Sequence, residues 1–133
     1  MAKKLFLASL IIVGGLFYAG CSSNQQPVYN VQGAQIQSFD GKKLTQAQVE
    51  KVILQAGAKR GWVMKKVKDG VISGTLYVRS HMALVEIKYS SSSYNITYKN
   101  SQDLNYDGVN IHKNYNSWIR NLDNSIQIGL SSL

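Results

Sequence analysis

The chain has 133 residues, 44% of them apolar, and its 15 lysines and arginines against 7 acidic residues give a formal charge of +8. This length suits one domain with a short additional segment, and the apolar fraction is sufficient for a core. The single cysteine excludes an internal disulfide, so the fold must be stable without one.

The N-terminal segment has the pattern of an export signal. Two lysines precede an apolar run from Leu5 to Phe17, which is shorter than the roughly 20 residues of a membrane span but suits a signal peptide. The small residues Ala19 and Gly20 come directly before Cys21. We predict a signal peptide over residues 1–20 that is cleaved before Cys21.

The last residues of this segment, Tyr18-Ala19-Gly20-Cys21, resemble the lipobox of bacterial lipoproteins, with Tyr18 where that motif usually has leucine. The resemblance implies lipid attachment to Cys21, with acyl chains such as palmitate, and two or more chains hold a protein firmly on a bilayer. The alternative is an ordinary cleaved signal with a free or intermolecularly bonded cysteine. Ser22 stands where an inner-membrane retention signal often has aspartate, so the resemblance implies the outer membrane, facing the periplasm.

The basic charge indicates the class of partner. Loss of the two leader lysines lowers the formal charge from +8 to +6. In a cell envelope a basic surface meets anionic lipid, lipopolysaccharide phosphates or acidic proteins. The basic residues are scattered, so we predict no nucleic-acid partner, and a solvated basic surface without a ligand is the favoured interpretation.

The region after the cysteine is polar and rich in glutamine, and we predict a lipidated, flexible tether over residues 21–43. A single α+β domain over residues 44–133 follows. Thr45 and Gln48 have the spacing of a capping box, and apolar residues then recur at helical spacing. The pattern predicts a first helix over Gln46 to Lys59, with Gly61 as its left-handed cap.

Four runs rich in β-branched and aromatic residues come next, and their short connections require antiparallel neighbours. The runs are Trp62 to Val67, Val71 to Val78, Met82 to Tyr89 and Tyr94 to Asn100. An apolar stripe from Ile111 to Ile126 predicts a second helix beginning near Asn110, with fraying beyond Gly129. The predicted fold is a four-stranded antiparallel meander with an N-terminal and a C-terminal helix packed on one face (α-β-β-β-β-α).

Alternation along the strands assigns their faces. The predicted buried side chains are Ile72, Leu76, Val78, Ala83, Val85, Ile87, Tyr89, Tyr94, Ile96 and Tyr98. In the first strand, Trp62 and Met64 compete with Val63 and Val67 for the buried face, and the pattern leaves this choice open.

Three segments of the second half, Val78 to Ala83, Leu104 to Gly108 and Ile111 to Trp118, resemble a group of small lipoproteins of the bacterial envelope. The resemblance implies a location and a fold, and it provides no catalytic residue.

The sequence offers little for catalysis. Neither His81 nor His112 has a second histidine or a cysteine at metal-ligand spacing, and no nucleophile elbow or glycine-rich loop is present. We predict no metal site, no cofactor beyond the lipid on Cys21, and no enzymatic activity.

His112, in the first turn of the second helix, is a candidate binding residue, and the alternative is a packed polar corner where the loop meets the helix. Two candidate binding surfaces remain. In the turn Arg79-Ser80-His81, the first and third residues suit an anionic group, although we favour a turn that only closes a hairpin, with Arg79 paired to Glu86 or Asp107. Tyr77, Met82 and Leu84 lie together on the open sheet face, where an apolar patch can mark a partner site.

From these surfaces we expect a non-catalytic interaction or assembly module that binds an envelope protein. The alternative is a small-ligand or lipid-binding domain, with a pocket between helices and sheet and the Arg79/His81 turn at its mouth.

Overall fold

The computed structural model describes residues 24–37 and 40–133, and the elements below are those of these residues. The strands are β1 (Gln25–Pro27), β2 (Val31–Gln35), β3 (Val63–Lys68), β4 (Val71–Val78), β5 (His81–Tyr89), β6 (Ser93–Gln102) and β7 (Asn110–His112). The helices are α1 (Gln46–Lys59) and α2 (Lys113–Ser131).

Helix α1 has the predicted bounds, and its first turn has the predicted capping box. The Thr45 hydroxyl accepts a hydrogen bond from the main-chain N–H of Gln48 at 3.1 Å, and the Gln48 side chain accepts one from the Thr45 N–H at 2.9 Å. These bonds satisfy two of the donors that a helix N-terminus leaves free. At the other end Gly61 has a φ of +83°, the left-handed conformation that glycine adopts readily.

The large sheet has the strand order β2-β6-β5-β4-β3, and every neighbouring pair is antiparallel. Strands β3 to β6 form the predicted meander. The fifth strand, β2, adds to β6, and β1 pairs with β7 in a separate two-stranded sheet. The α+β class is therefore confirmed, while the predicted count of four strands was too low.

The additional strands come from the segment predicted to be a flexible tether, so that prediction is wrong for residues 25–35. Main-chain pairing fixes this segment, because β2 bonds to the edge of β6 and Val31 is buried against the core. Edge pairing needs little apolar alternation, which is why the polar sequence concealed it. The signal peptide over residues 1–20 and the lipid site at Cys21 lie outside the described residues.

A buried amide fixes the same segment to α2. The Asn116 side chain is 1% exposed. Its oxygen accepts a hydrogen bond from the Tyr29 N–H at 2.9 Å, and its nitrogen donates to the Pro27 carbonyl at 2.9 Å. This buried polar group is therefore satisfied on both sides, and it holds the N-terminal segment across the helix.

The predicted faces of the sheet are confirmed. The assigned inward residues are buried or half-buried and form one core with the two helices. Trp62, directly before β3, is 4% exposed and Met64 in β3 packs against the core, whereas Val63 and Val67 are 62% and 58% exposed. The choice left open by the sequence is thus decided in favour of Trp62 and Met64.

Helix α2 differs from its prediction at both ends. It begins at Lys113 and not near Asn110, because residues 110–112 pair with β1 as a strand. His112 is the N-cap, and its Nδ1 accepts a hydrogen bond from the Asn114 N–H at 3.2 Å. The predicted fraying beyond Gly129 is wrong as well, since the helix continues to Ser131 with Leu130 buried at 3% exposure.

Gly129 lies at a close contact between the two helices. A Cβ atom on Gly129 would lie 2.7 Å from Cγ1 of Val52 on α1. Val52 is 6% exposed, and a β-branched side chain on a helix has essentially one rotamer. The contact therefore leaves no room for a methyl group.

We expect Gly129→Ala to lower the free energy of unfolding by about 1–3 kcal/mol, although alanine favours a helix by about 1 kcal/mol over glycine. In a Val52→Ala background the same substitution should raise the free energy of unfolding, because the vacated space accepts the Cβ atom. Urea denaturation of the four proteins in this double-mutant cycle measures the coupling. Stabilisation by Gly129→Ala with Val52 present would contradict the contact.

Candidate functional site

The open face of the sheet carries an apolar patch, which we call the open-face patch, made of Val63, Tyr77, Met82 and Leu84. Tyr77 lies opposite Met82, and Thr75 separates Val63 from Leu84 in the neighbouring row. Tyr77 is 68% exposed and Val63 is 62% exposed, whereas Met82 and Leu84 are half-buried. The sequence predicted three of these four residues and left Val63 undecided.

The remainder of the open face is polar and basic. Glu86 lies between two lysines, with its carboxylate oxygens 3.7 Å from Nζ of Lys88 and 3.7 Å from Nζ of Lys99. Lys65 and Thr97 continue this face and are exposed. Apart from the half-buried Val71, which lies opposite Lys88 at the far end, the apolar side chains of this face lie at the end of the sheet next to the β4–β5 turn.

The β4–β5 turn is bonded to the loop that follows β6. The Ser80 hydroxyl donates to the carboxylate of Asp103. Nδ1 of His81 lies 2.6 Å from the main-chain oxygen of Asp103 and 3.6 Å from its carboxylate. Arg79 and Asp103 both have a φ near +55°, a conformation uncommon outside glycine. The turn and the loop thus hold each other in place.

The predicted partners of Arg79 are engaged elsewhere. Glu86 pairs with lysines, and Asp107 accepts hydrogen bonds from the main-chain N–H groups of Asn110 at 2.6 Å and Val109 at 2.9 Å. Those main-chain bonds lower the pKa of Asp107 below its ordinary value. Arg79 is exposed, and within the described residues it forms no ion pair. The interpretation of Arg79 as half of an ion pair was wrong, although the turn does close a hairpin.

The two histidines contact the same loop and have local hydrogen-bond partners. His81 bonds to Asp103, and its ring centroid lies 6.4 Å from that of Trp118. His112 donates its main-chain N–H to the Leu104 carbonyl at 2.9 Å and caps α2 with its ring. These contacts give each histidine a role in joining the loop to the turn or to the helix.

A tyrosine of this loop forms an aromatic cluster with one tyrosine of β6 and one of α2. The Tyr98 and Tyr106 ring centroids are 4.2 Å apart, and Tyr115 meets Tyr98 edge-on at 5.6 Å. Tyr115 is fully buried, and its hydroxyl has no hydrogen-bond partner among the described residues. Burial raises the pKa of this phenol above its ordinary value. Sequence periodicity placed Tyr115 on the apolar stripe but gave no indication of the unsatisfied hydroxyl.

Several surface grooves lie away from the predicted binding residues. Five grooves of about 150 to 490 Å³ are lined by none of Tyr77, Arg79, His81, Met82, Leu84 or His112. The groove with the most apolar lining, of about 350 Å³, lies between α1 and the end of α2. Its apolar lining residues are Val52, Ala56, Ile128 and Leu133.

Neither a metal cluster nor a membrane-spanning helix is found in the described part of the chain. No three side chains of histidine, cysteine, aspartate or glutamate in residues 24–37 and 40–133 are grouped so that they could hold a metal ion. Over the same residues, no helix combines the length and the hydropathy needed to cross a bilayer.

Comparison with known proteins gives no match to this chain, whether to a protein family model, to a curated protein or to a solved structure. The assignment of the candidate site therefore depends only on the residues of this chain and their geometry.

We expect Tyr115→Phe to leave the free energy of unfolding unchanged or to raise it by about 1 kcal/mol, because it removes a buried hydroxyl that has no partner. Tyr94→Phe is the matched control, since Tyr94 is equally buried but its hydroxyl donates to Asp123 at 2.5 Å. The free energy of unfolding of Tyr94→Phe should fall by about 1–3 kcal/mol. Thermal and urea unfolding compare the two, and equal destabilisation would show that the Tyr115 hydroxyl has a partner.

Proposed function

We propose that the chain is a lipid-anchored protein of the bacterial cell envelope whose folded domain is a non-catalytic interaction module. The export signal and Cys21, the only cysteine of the sequence, support the anchor. By the lipobox resemblance, the diacylglyceryl group is attached to the thiol of Cys21. Ser22 in the following position favours the outer membrane, with the domain in the periplasm.

The open-face patch is the observation that supports the interaction module most strongly. Tyr77 and Val63 expose more than 60% of their surface on a face that is mostly polar. Exposed apolar groups gathered on a polar surface are typical of protein-binding sites, and a tyrosine is among the residues that most often dominate binding energy.

The charges around the patch favour one kind of partner. Arg79 at the turn and Lys65 on β3 are exposed and form no ion pair within residues 24–37 and 40–133. The chain without its leader carries a formal charge of +6. A protein with an apolar surface and an acidic rim complements this face, and complementary charge increases association rate and specificity.

A small-ligand or lipid-binding domain is the second candidate, and the apolar groove between α1 and α2 favours it. This groove is formed by the two helices and the two residues after α2, with no strand residue in its lining, so it differs from the pocket between helices and sheet that the sequence suggested. Its volume of about 350 Å³ is at the small end of ligand pockets. An acyl chain is the ligand that suits its lining.

We expect Cys21→Ser to abolish incorporation of an alkyne-labelled palmitate and to release the protein from the membrane fraction, because the only thiol is lost. Ser22→Ala should retain both properties. Ser22→Asp should retain the label but move the protein to the inner-membrane fraction. Mass spectrometry of the purified protein checks the added lipid, and an unmodified Cys21 in membrane-bound protein would contradict the anchor.

We expect Tyr77→Ser to weaken binding to the envelope partner at least about 30-fold, the effect of losing about 2 kcal/mol at a central tyrosine. The partner is first identified by photo-crosslinking in cells from position 77. Ile128→Ser is the matched control, because Ile128 is 64% exposed and lies in the α1–α2 groove. Both variants should keep the fold, since exposed substitutions usually change stability by no more than about 0.5 kcal/mol.

The reciprocal result would favour the second candidate. In that case Ile128→Ser reduces the lipid that co-purifies with the protein, Tyr77→Ser does not, and position 77 gives no protein crosslink.

A further inference from the structure

The first described residue, Asn24, is held at the N-terminal end of α2. Its main-chain oxygen accepts a hydrogen bond from the Lys113 N–H at 2.6 Å, and the next residue, Gln25, pairs with His112. The buried amide of Asn116 holds the following two residues through Gln26 and Pro27. The chain therefore enters the folded domain at this end of the helix.

Very little chain separates this point from the proposed lipid site. Cys21 precedes Asn24 by three residues, and three residues span at most about 11 Å when fully extended. The head-group layer of one leaflet is itself about 5–8 Å thick. An anchor at Cys21 thus cannot hold the N-terminal end of α2 far from the bilayer surface.

The β4–β5 turn lies at the same end of the domain. The main-chain N–H of His112, the residue before Lys113, donates to the carbonyl of Leu104. Asp103, the residue before Leu104, bonds to Ser80 and His81 of the turn. These contacts connect the entry point of the chain to the turn through a short series of hydrogen bonds.

The opposite end of the sheet is far away. Strand β5 runs nine residues from His81 to Tyr89, a length of about 30 Å at about 3.3 Å per residue. The β5–β6 turn, with the exposed Ser91, follows it. Helix α2 has 19 residues and spans about 28 Å, which places the α1–α2 groove at its distal end.

From this arrangement we infer that the domain lies against the bilayer with the N-terminal end of α2 and the β4–β5 turn facing the lipid. The inference rests on the proposed lipidation of Cys21. Two exposed cations, Lys113 and Arg79, are located at this end, and neither forms an ion pair among the described residues. The first turn of α2 has no acidic residue, so its positive helix end is also directed to anionic head groups.

The orientation narrows the class of partner for the open-face patch. Tyr77 is two residues from Arg79 along β4, a distance of about 7 Å, and Met82 is opposite Tyr77. The patch therefore lies next to the membrane surface. The protein that binds the patch must therefore present an apolar surface with an acidic rim close to the bilayer surface. An integral or lipid-anchored membrane protein can do so.

Fluorescence quenching by lipid tests this orientation with the full, lipidated chain. Lipidation blocks the thiol of Cys21, so a cysteine introduced at Asn114→Cys or at Ser91→Cys is the unique site for a fluorophore. Both positions are exposed. Each labelled protein is reconstituted into vesicles of phosphatidylethanolamine and phosphatidylglycerol that contain a lipid with a nitroxide on its head group.

We expect the fluorophore at position 114 to lose most of its emission and the one at position 91 to keep most of it. A flexible Gly-Ser insert of 20 residues between Ser23 and Asn24 is the control, because it adds a mean span of about 25 Å. The insert should remove the difference between the two positions without altering the fold.

Two failures are distinguishable. Anchored protein that is quenched equally at positions 114 and 91 overturns the orientation and leaves the anchor intact. Protein with an unmodified Cys21, found by mass spectrometry before reconstitution, overturns the proposed anchor and with it this inference.

Discussion

The buried amide of Asn116 is the interaction on which the arrangement of the domain depends. Its oxygen and nitrogen bond to the main chain of Tyr29, which lies between β1 and β2, and of Pro27, the last residue of β1. A buried amide that lost these partners would leave several polar groups unsatisfied, at a cost of about 1–3 kcal/mol each. Because the amide satisfies them, the N-terminal segment lies across α2 and continues into β2 at the edge of the large sheet.

The position of that segment has a functional consequence. A flexible tether of 20 or more residues would allow any face of the domain to meet the bilayer. A segment that is bonded from Asn24 onwards leaves two residues between Asn24 and Cys21, and with the proposed anchor so short a link keeps the N-terminal end of α2 near the lipid. The structure thereby relates the proposed anchor to the open-face patch, which lies on the same end of the sheet.

The two faces of the sheet differ because only one is covered by helices. The covered face is filled by side chains such as Ile72 and Ile87, which have no exposed surface, and the binding surfaces proposed for this domain lie on its exterior. The open face keeps Tyr77 and Val63 in contact with water. Natural sequences usually place polar residues at such positions, and the exception at one end of the face is the reason for assigning it a partner.

The local sequence pattern was sufficient to predict most of the helices and strands of the core domain. The capping box at Thr45, the glycine after α1 and the alternation along β4 to β6 predicted those elements, because each depends on neighbouring residues or on a period of two or 3.6. The same alternation placed Tyr77, Met82 and Leu84 together on the open face. Cysteine position and the apolar leader gave the proposed location without any reference to the fold.

Tertiary structure decided the rest. Strands β1, β2 and β7 form because distant main-chain groups meet, and edge pairing of polar residues has no signature in local sequence. The pairing of β7 moved the start of α2 to Lys113 and made His112 its cap. Asp103, 22 residues from His81, bonds to Ser80 and His81 and joins the turn to the loop after β6, while Arg79 forms none of the ion pairs expected for it. These contacts join residues far apart in the chain, so only the folded arrangement could determine them.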